Sequence, residues 1–238
     1  MTETSVPPAP LSASAEAAPG LPPPPSEVAE EPSGRSSSLP PRAPRRRPPD
    51  VVCRGDPGPA GLALARFVRP GCPDRLFEYH SDIPEPADNC LCFFEYGTAA
   101  GIVYASLRYA LLSAAFAQPF STPKHLALRL FGASIHPTAY LSPDVVIDPL
   151  FPSLLTVEAG ALLGFGVRIA LHEHGGARFR AGRVIIRRGA TIGAEARIGC
   201  GVEIGEFAQV AVGAVVLRDV PARSIAVGNP ARVVGHVA

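Results

Sequence analysis

The stretch Ile192-Gly193-Ala194-Glu195-Ala196-Arg197-Ile198-Gly199-Cys200-Gly201-Val202-Glu203-Ile204-Gly205-Glu206 decides the fold. An aliphatic residue returns every sixth position, and four residues after each comes a small or β-branched one. The period extends outward in both directions. One series is Ile135, Leu141, Ile147; a second is Val157, Leu163, Ile169; a third is Ile186, Ile192, Ile198, Ile204, Val210, Val216. The companions four residues on are Ala139, Val145, Ala161, Val167, Ala190, Ala196, Val202, Ala208, Ala214 and Val220. No heptad and no simple alternation explains this, and a six-residue period marks a parallel β-helix. Three six-residue edges make one triangular coil with an aliphatic residue per edge pointing inward. Stacking at the strand spacing of about 4.8 Å buries a core that no single coil could bury. The fold expected is mainly β, a parallel β-helix of about four coils. Gly193, Gly199 and Gly205 follow the aliphatic position and suit close backbone approach and unusual backbone angles.

Two interruptions break the period. Four extra residues, with Phe151-Pro152-Ser153 among them, separate Ile147 from Val157. A longer insertion between Ile169 and Ile186 carries Leu171-His172-Glu173-His174-Gly175-Gly176-Ala177-Arg178-Phe179-Arg180. Insertions in a solenoid loop out on one face, often the binding face.

The rest of the chain is less regular. Of 28 prolines, 14 lie in residues 1–50, which read as a disordered Pro/Arg-rich arm with few large apolar residues and the basic run Arg42-Ala43-Pro44-Arg45-Arg46-Arg47. Residues 51–132 read as an N-terminal segment with helices, one around Leu62–Phe67. A second, apolar helix over 98–118 has Thr98 as a possible N-cap and Arg108 at its centre. A third is capped by Thr122 with Pro123 at its first position and stops at Gly132. The apolar helix is long enough to span a bilayer, to lie at its surface or to pack on the protein, although a central arginine is costly in hydrocarbon. Residues 133–238 form the repeat domain.

Composition excludes some functions. A net charge of +1, with 21 Arg and the single lysine Lys124, disfavours a nucleic-acid binder that works through bulk charge. Five irregularly spaced cysteines, Cys53, Cys72, Cys90, Cys92 and Cys200, argue against a disulfide framework and against a zinc site. No apolar leader opens the sequence, so a cytoplasmic location is expected, with membrane contact through 98–118 left open.

The hexads, together with Val212-Gly213-Ala214-Val215-Val216-Leu217-Arg218-Asp219-Val220-Pro221 and Ala226-Val227-Gly228-Asn229-Pro230-Ala231-Arg232-Val233-Val234, resemble the hexapeptide-repeat acyltransferases. The likeness is closest to the maltose, galactoside and polysaccharide O-acetyltransferases, over roughly 125–236. It implies a left-handed β-helix, an exception to the usual crossover hand. It further implies a homotrimer with sites between neighbouring prisms, acetyl-CoA or another acyl-CoA as cosubstrate, no metal, and a loop histidine as general base. The position matching that base is His172, with His174 as the alternative. The resemblance gives Arg218 and Arg232 to the CoA phosphates, Gly213 and Ala214 to the pantetheine arm, and Ser142 and Asp148 to the acceptor. Chemistry agrees: a hydroxyl needs a base to attack a thioester, imidazole titrates in the right range, and a carboxylate or backbone carbonyl should orient its far nitrogen. Arg178, Arg180, Arg183, Arg187 and Arg188 either steer an acidic acceptor or form a solvated face. The function expected is acyl transfer to a hydroxyl of a sugar, glycan precursor or small metabolite. Alternatives are a non-catalytic scaffold acting through residues 1–50 and a γ-class carbonic anhydrase-like metalloenzyme.

Overall fold

A computed structural model of the chain describes residues 49–54, 57–80, 99–175 and 178–237. The arm, the basic run, Cys90, Cys92 and Thr98 lie outside the described residues.

The hexads close into a three-sided prism. Face I stacks Ser134–Ile135, Leu155–Val157, Val184–Ile186 and Glu203–Ile204. Face II stacks Tyr140–Leu141, Leu162–Leu163, Thr191–Ile192, Gln209–Val210 and Ser224–Val227, and Arg232–His236 folds back antiparallel on the last of these. Face III stacks Val146–Ile147, Arg168–Ile169, Arg197–Ile198 and Val215–Val216. All pairings within the coils are parallel and in register by hexad: Ile135 with Val157, Val157 with Ile186, and Ile186 with Ile204. There are four full coils, and a fifth begins at Val220, which bridges Ile204. Every aliphatic residue of the three series and every small companion is buried, most of them completely.

The corner chemistry differs from the expectation in one respect. Gly193 and Gly205 serve close approach: a Cβ on Gly205 would lie 2.3 Å from the Ala222 backbone nitrogen, and one on Gly193 would lie 2.6 Å from that of Val212. The left-handed backbone conformation falls elsewhere, on the residue just before eight of the ten small companions. Gly201 takes it at φ +76°, and Glu195 takes it at φ +58° despite its side chain. At those corners the companion's small size then lets the chain turn back over the core.

Both insertions, and the short step from Val216 to Val220, fall at one corner, where face III passes to face I. Ile169 to Ile186 spans seventeen positions, eleven more than one hexad, and all eleven are accommodated at this edge. The other two edges keep the period without exception.

Before the repeat, the described residues hold two strands as well as helices. Val51–Arg54 pairs parallel with Leu76–His80, and helix α1 (Pro57–Phe67) connects them. Leu76–His80 then pairs antiparallel with Arg178–Gly182, which pairs with His172–Gly175. The long insertion is thus a β-hairpin that joins the N-terminal strands in a four-stranded sheet. Alternation puts Phe77, Tyr79, Phe179 and Ala181 on one face, all buried with Ala60, Leu64 and Phe67 of α1.

Helices α2 (Ala99–Phe116) and α3 (Ser121–Leu130) lie below the first coil in sequence. α3 begins two residues earlier than the Thr122-Pro123 signal suggests. Its N-cap is Phe120, whose side chain has no acceptor to cap with, and the Ser121 hydroxyl accepts from the Leu141 N–H at 3.0 Å. Lys124 donates to the Ser142 carbonyl at 3.1 Å, and the Arg129 guanidinium donates to the Ile135 carbonyl at 2.8 Å. These side chains supply partners to backbone groups on the open edge of coil one, as the end of any stacked array requires. α2 docks by the stripe Ala105, Arg108, Leu112 and Ala115 and leaves Val103, Leu107 and Tyr109 more than half exposed. Buried Arg108 lies 5.4 Å from the centre of the Tyr104 ring. Among the described residues α2 alone is long and apolar enough to cross a membrane.

Candidate active site

The irregular edge gathers the polar residues. Asp148 is the first residue past the core position Ile147, and His172 is the third past Ile169. Ile147 and Ile169 are register partners, so the two polar side chains meet across adjacent coils. The Asp148 side chain is only 6% exposed. Its Oδ1 accepts from the Leu150 N–H at 2.9 Å, which shapes the start of the first bulge. Its Oδ2 accepts from the backbone N–H groups of Leu171 (3.2 Å) and His172 (3.1 Å) and pairs with Nδ1 of the His172 ring. A carboxylate can only accept, so Nδ1 carries the hydrogen and Nε2 is left with its lone pair. The His172 side chain is 24% exposed. Its ring stacks on Phe179, with centroids 5.9 Å apart and planes 26° apart, and meets the edge-on ring of Phe151 at 5.6 Å.

The sequence reading gave Asp148 to the acceptor. In the fold its carboxylate is occupied by the His172 ring and three amides, which leaves no room for that task. The signal that would have placed it was the register of the two series, which sets position 148 beside 170–172. Ser142 stands one hexad earlier, at a different corner, where its carbonyl takes the Lys124 ammonium and its N–H donates to Leu163. It does not join Asp148 and His172. His174 is exposed at the end of the hairpin and borders a cleft of ≈ 290 Å³ with Glu173, Arg178 and Arg180.

Arg218 and Arg232 do come together. Both line a cleft of ≈ 540 Å³ along the irregular edge, with Leu76, Arg180, Cys200 and Leu217 among its walls. The cleft starts one coil above His172, a step of about 5 Å. One guanidinium nitrogen of Arg218, Nη1, is buried with no hydrogen-bond partner. A buried donor without a partner costs free energy, so the cleft is built to favour an acceptor-rich, anionic group. Gly213 and Ala214 lie at the corner between faces II and III instead. Their N–H groups donate to Ala194 (2.8 Å) and Ala211 (3.2 Å), so neither amide is available to a pantetheine arm.

The arginine run is mostly structural. Arg180 pairs with Glu78 at 3.0 Å, and Arg187 bridges Glu158 and Glu203 at 2.8 and 2.7 Å. Arg183 donates to the carbonyls of Phe67 and Asp74, tying α1 and the N-terminal strands to the repeat. Arg188 lies over the Phe207 ring. Their carboxylate and carbonyl partners are far away in sequence, so composition alone left them looking like a charged face. Arg75 completes the junction by pairing with Glu203 and Asp219 at 2.9 and 3.0 Å. Among the described residues no group of three metal-ligating side chains forms.

No family model matches the chain. It is 52% identical over 56 residues to the dTDP-3-amino-3,6-dideoxy-alpha-D-galactopyranose 3-N-acetyltransferase of Aneurinibacillus thermoaerophilus, which covers 24% of this chain and 29% of that protein. It is 33% identical over 117 residues to the serine acetyltransferase of Buchnera aphidicola, covering 45% and 40%. In sequence the chain is thus similar to acetyltransferases. Among solved structures, a hexapeptide-repeat acetyltransferase of Vibrio cholerae superposes with a TM-score of 0.48 at 19% identity, over 60% of this chain and 95% of that one. A galactoside acetyltransferase in complex with coenzyme A superposes at 0.46 and 17% identity, over 60% and 85%. The chain spans well under half the length of the two acetyltransferases that it matches in sequence.

Proposed function

We propose that this chain is a CoA-dependent acyltransferase, with acetyl-CoA as donor and a hydroxyl of a sugar, glycan precursor or small metabolite as acceptor. The observation that carries the reading is the Asp148–His172 pair, which leaves Nε2 as a proton acceptor one coil below an arginine-lined cleft. His172 is the general base and Asp148 its positioning residue. Nε2 takes the hydroxyl proton as the oxygen attacks the thioester carbonyl carbon. The tetrahedral intermediate then expels the CoA thiolate, and the imidazolium returns its proton to that sulfur. Asp148 keeps the ring in the productive tautomer and stabilises the imidazolium. Arg218 and Arg232 serve the CoA phosphates, for which guanidinium geometry is suited. The working assembly is a homotrimer. An amine acceptor is the second reading, favoured by the 52% identity to an N-acetyltransferase.

The test uses purified protein, acetyl-CoA and a panel of sugars and amino sugars, with thiol release as the signal. His172→Ala should lower turnover at least about 100-fold while CoA binding by calorimetry is retained. Wild-type protein that binds no CoA, or a His172→Ala variant at full activity, refutes the reading. Light scattering reads the trimer.

A further inference from the structure

We infer that Phe179 is a positioning residue for His172, and that the strands before the repeat exist in part to hold it there. The inference rests on His172 being the base. One hydrogen bond to Asp148 fixes one ring nitrogen but lets the imidazole swivel about it. Two aromatic contacts remove that freedom. Phe179 lies face to face with the ring at 5.9 Å, and Phe151 closes it edge-on at 5.6 Å. The two phenyl rings also touch each other, with centroids 6.3 Å apart and an angle of 73°, so the three rings form one packed unit. Both phenylalanines are almost completely buried.

Phe179 is held by more than the repeat. It sits in Arg178–Gly182, paired with His174 on one side and Tyr79 on the other. The strand bearing Tyr79 is itself anchored, because the Asp50 carboxylate accepts from the Arg75 and Leu76 N–H groups at 2.8 and 3.0 Å. Support therefore runs from residues 50–80 through Phe179 to the imidazole. A bare hairpin at the edge of a prism would be a marginal platform, and adding strands makes it a rigid one.

The stack also acts on charge. When the ring takes a proton, the face of Phe179 lies within the range of a cation–π attraction. The charged group facing His172 is Asp148, from coil one. On its own strand, Glu173 turns to the opposite sheet face, and His174 shares the face of His172 but is exposed. On the facing strand, Arg178 and Arg180 point away toward Glu78. Asp148 and Phe179 are thus the two supports of the imidazolium, one through charge and one through its π face.

The experiment uses the full chain with Phe179→Leu, Phe179→Tyr and Phe151→Leu. The His172 imidazole is followed by NMR titration, its resonance assigned by loss in His172→Gln. Phe179→Leu should shift the titration to lower pH and reduce kcat roughly five- to tenfold with KM for acetyl-CoA unchanged. Phe179→Tyr should restore both. Should Phe179→Leu fail to fold, Phe151→Leu, which loosens the packing of Phe179 on the imidazole, must show the same direction with a smaller change. An unmoved His172 titration in the folded variants overturns the inference. If His172→Ala keeps its activity, the base reading fails instead, and the titration still reports whether the stack acts on the ring.

Discussion

Two kinds of edge run up the same prism. The I–II and II–III corners keep the six-residue step throughout, and all but the first carry a left-handed residue just before the small one. The III–I corner breaks the rule at each turn but one. It carries the Phe151 bulge, the His172 hairpin, the shortened step to Val220, and the cleft with Arg218 and Arg232. The regular edges meet a packing constraint that admits few residues, so they provide stability and little else. Freed from that constraint, the irregular edge holds polar groups that would be costly in the core. The comparison predicts that damage at the two kinds of edge can be separated.

The largest effect belongs to the core. Ile192 is completely buried and stacks between Leu163 and Val210. Ile192→Ala should cost about 2–5 kcal/mol, read by chemical denaturation, with turnover per folded molecule nearly unchanged. Asp148→Asn should do the reverse. The amide can present an NH₂ to Nδ1 and favour the wrong tautomer, so kcat should fall by about a factor of 100, while loss of the Leu171 and His172 N–H bonds lowers the melting temperature less than Ile192→Ala does. A variant pair in which both properties fall together breaks the separation of the edges.

How much of this the sequence discloses follows the same division. Hexad spacing suffices for the coils, their number and their register, because each aliphatic residue answers to a local geometric rule. The hairpin's partners are another matter. Leu76–His80 pairs with Arg178–Gly182 across a hundred residues, and nothing in Leu76-Phe77-Glu78-Tyr79-His80 names its partner. Asp148 was visible as a residue but not as the orienter of His172, since that requires reading the register between series separated by a bulge. The amides of Gly213 and Ala214 looked available because sequence shows a glycine corner but not which carbonyls its N–H groups already meet.

A smaller effect tests the regular corners. A Cβ at Gly205 would lie 2.3 Å from the backbone of Ala222, and backbone cannot swing aside as a side chain can. Gly205→Ala should therefore cost about 1–3 kcal/mol in unfolding free energy. At Gly213 a Cβ meets nothing within 4 Å, so the cost of Gly213→Ala comes from its φ of +68° alone and should be about 1–2 kcal/mol. If the two glycines respond alike, close approach is not what selects the first.

The smallest effect lies in the helix that covers the open end of coil one, and it depends on pH. His125 is buried in α3, and its ring nitrogen Nε2 meets the Ser121 hydroxyl at 3.0 Å. Burial holds its titration below the usual 6.5, and the Arg129 and Lys124 charges push it the same way. A histidine whose folded value is depressed binds its proton more readily when unfolded. Stability from this residue is fully present above pH 6.5 and is lost as pH falls from there through the folded value. One such group changes the unfolding free energy by at most about 1.4 kcal/mol per pH unit. Denaturation midpoints should therefore drop between pH 7.5 and pH 5, and His125→Gln should flatten that drop. Equal slopes in wild type and His125→Gln would show that the end of the prism tolerates the protonated ring, and that the α3 contacts to Leu141, Ser142 and Ile135 do not depend on keeping it neutral.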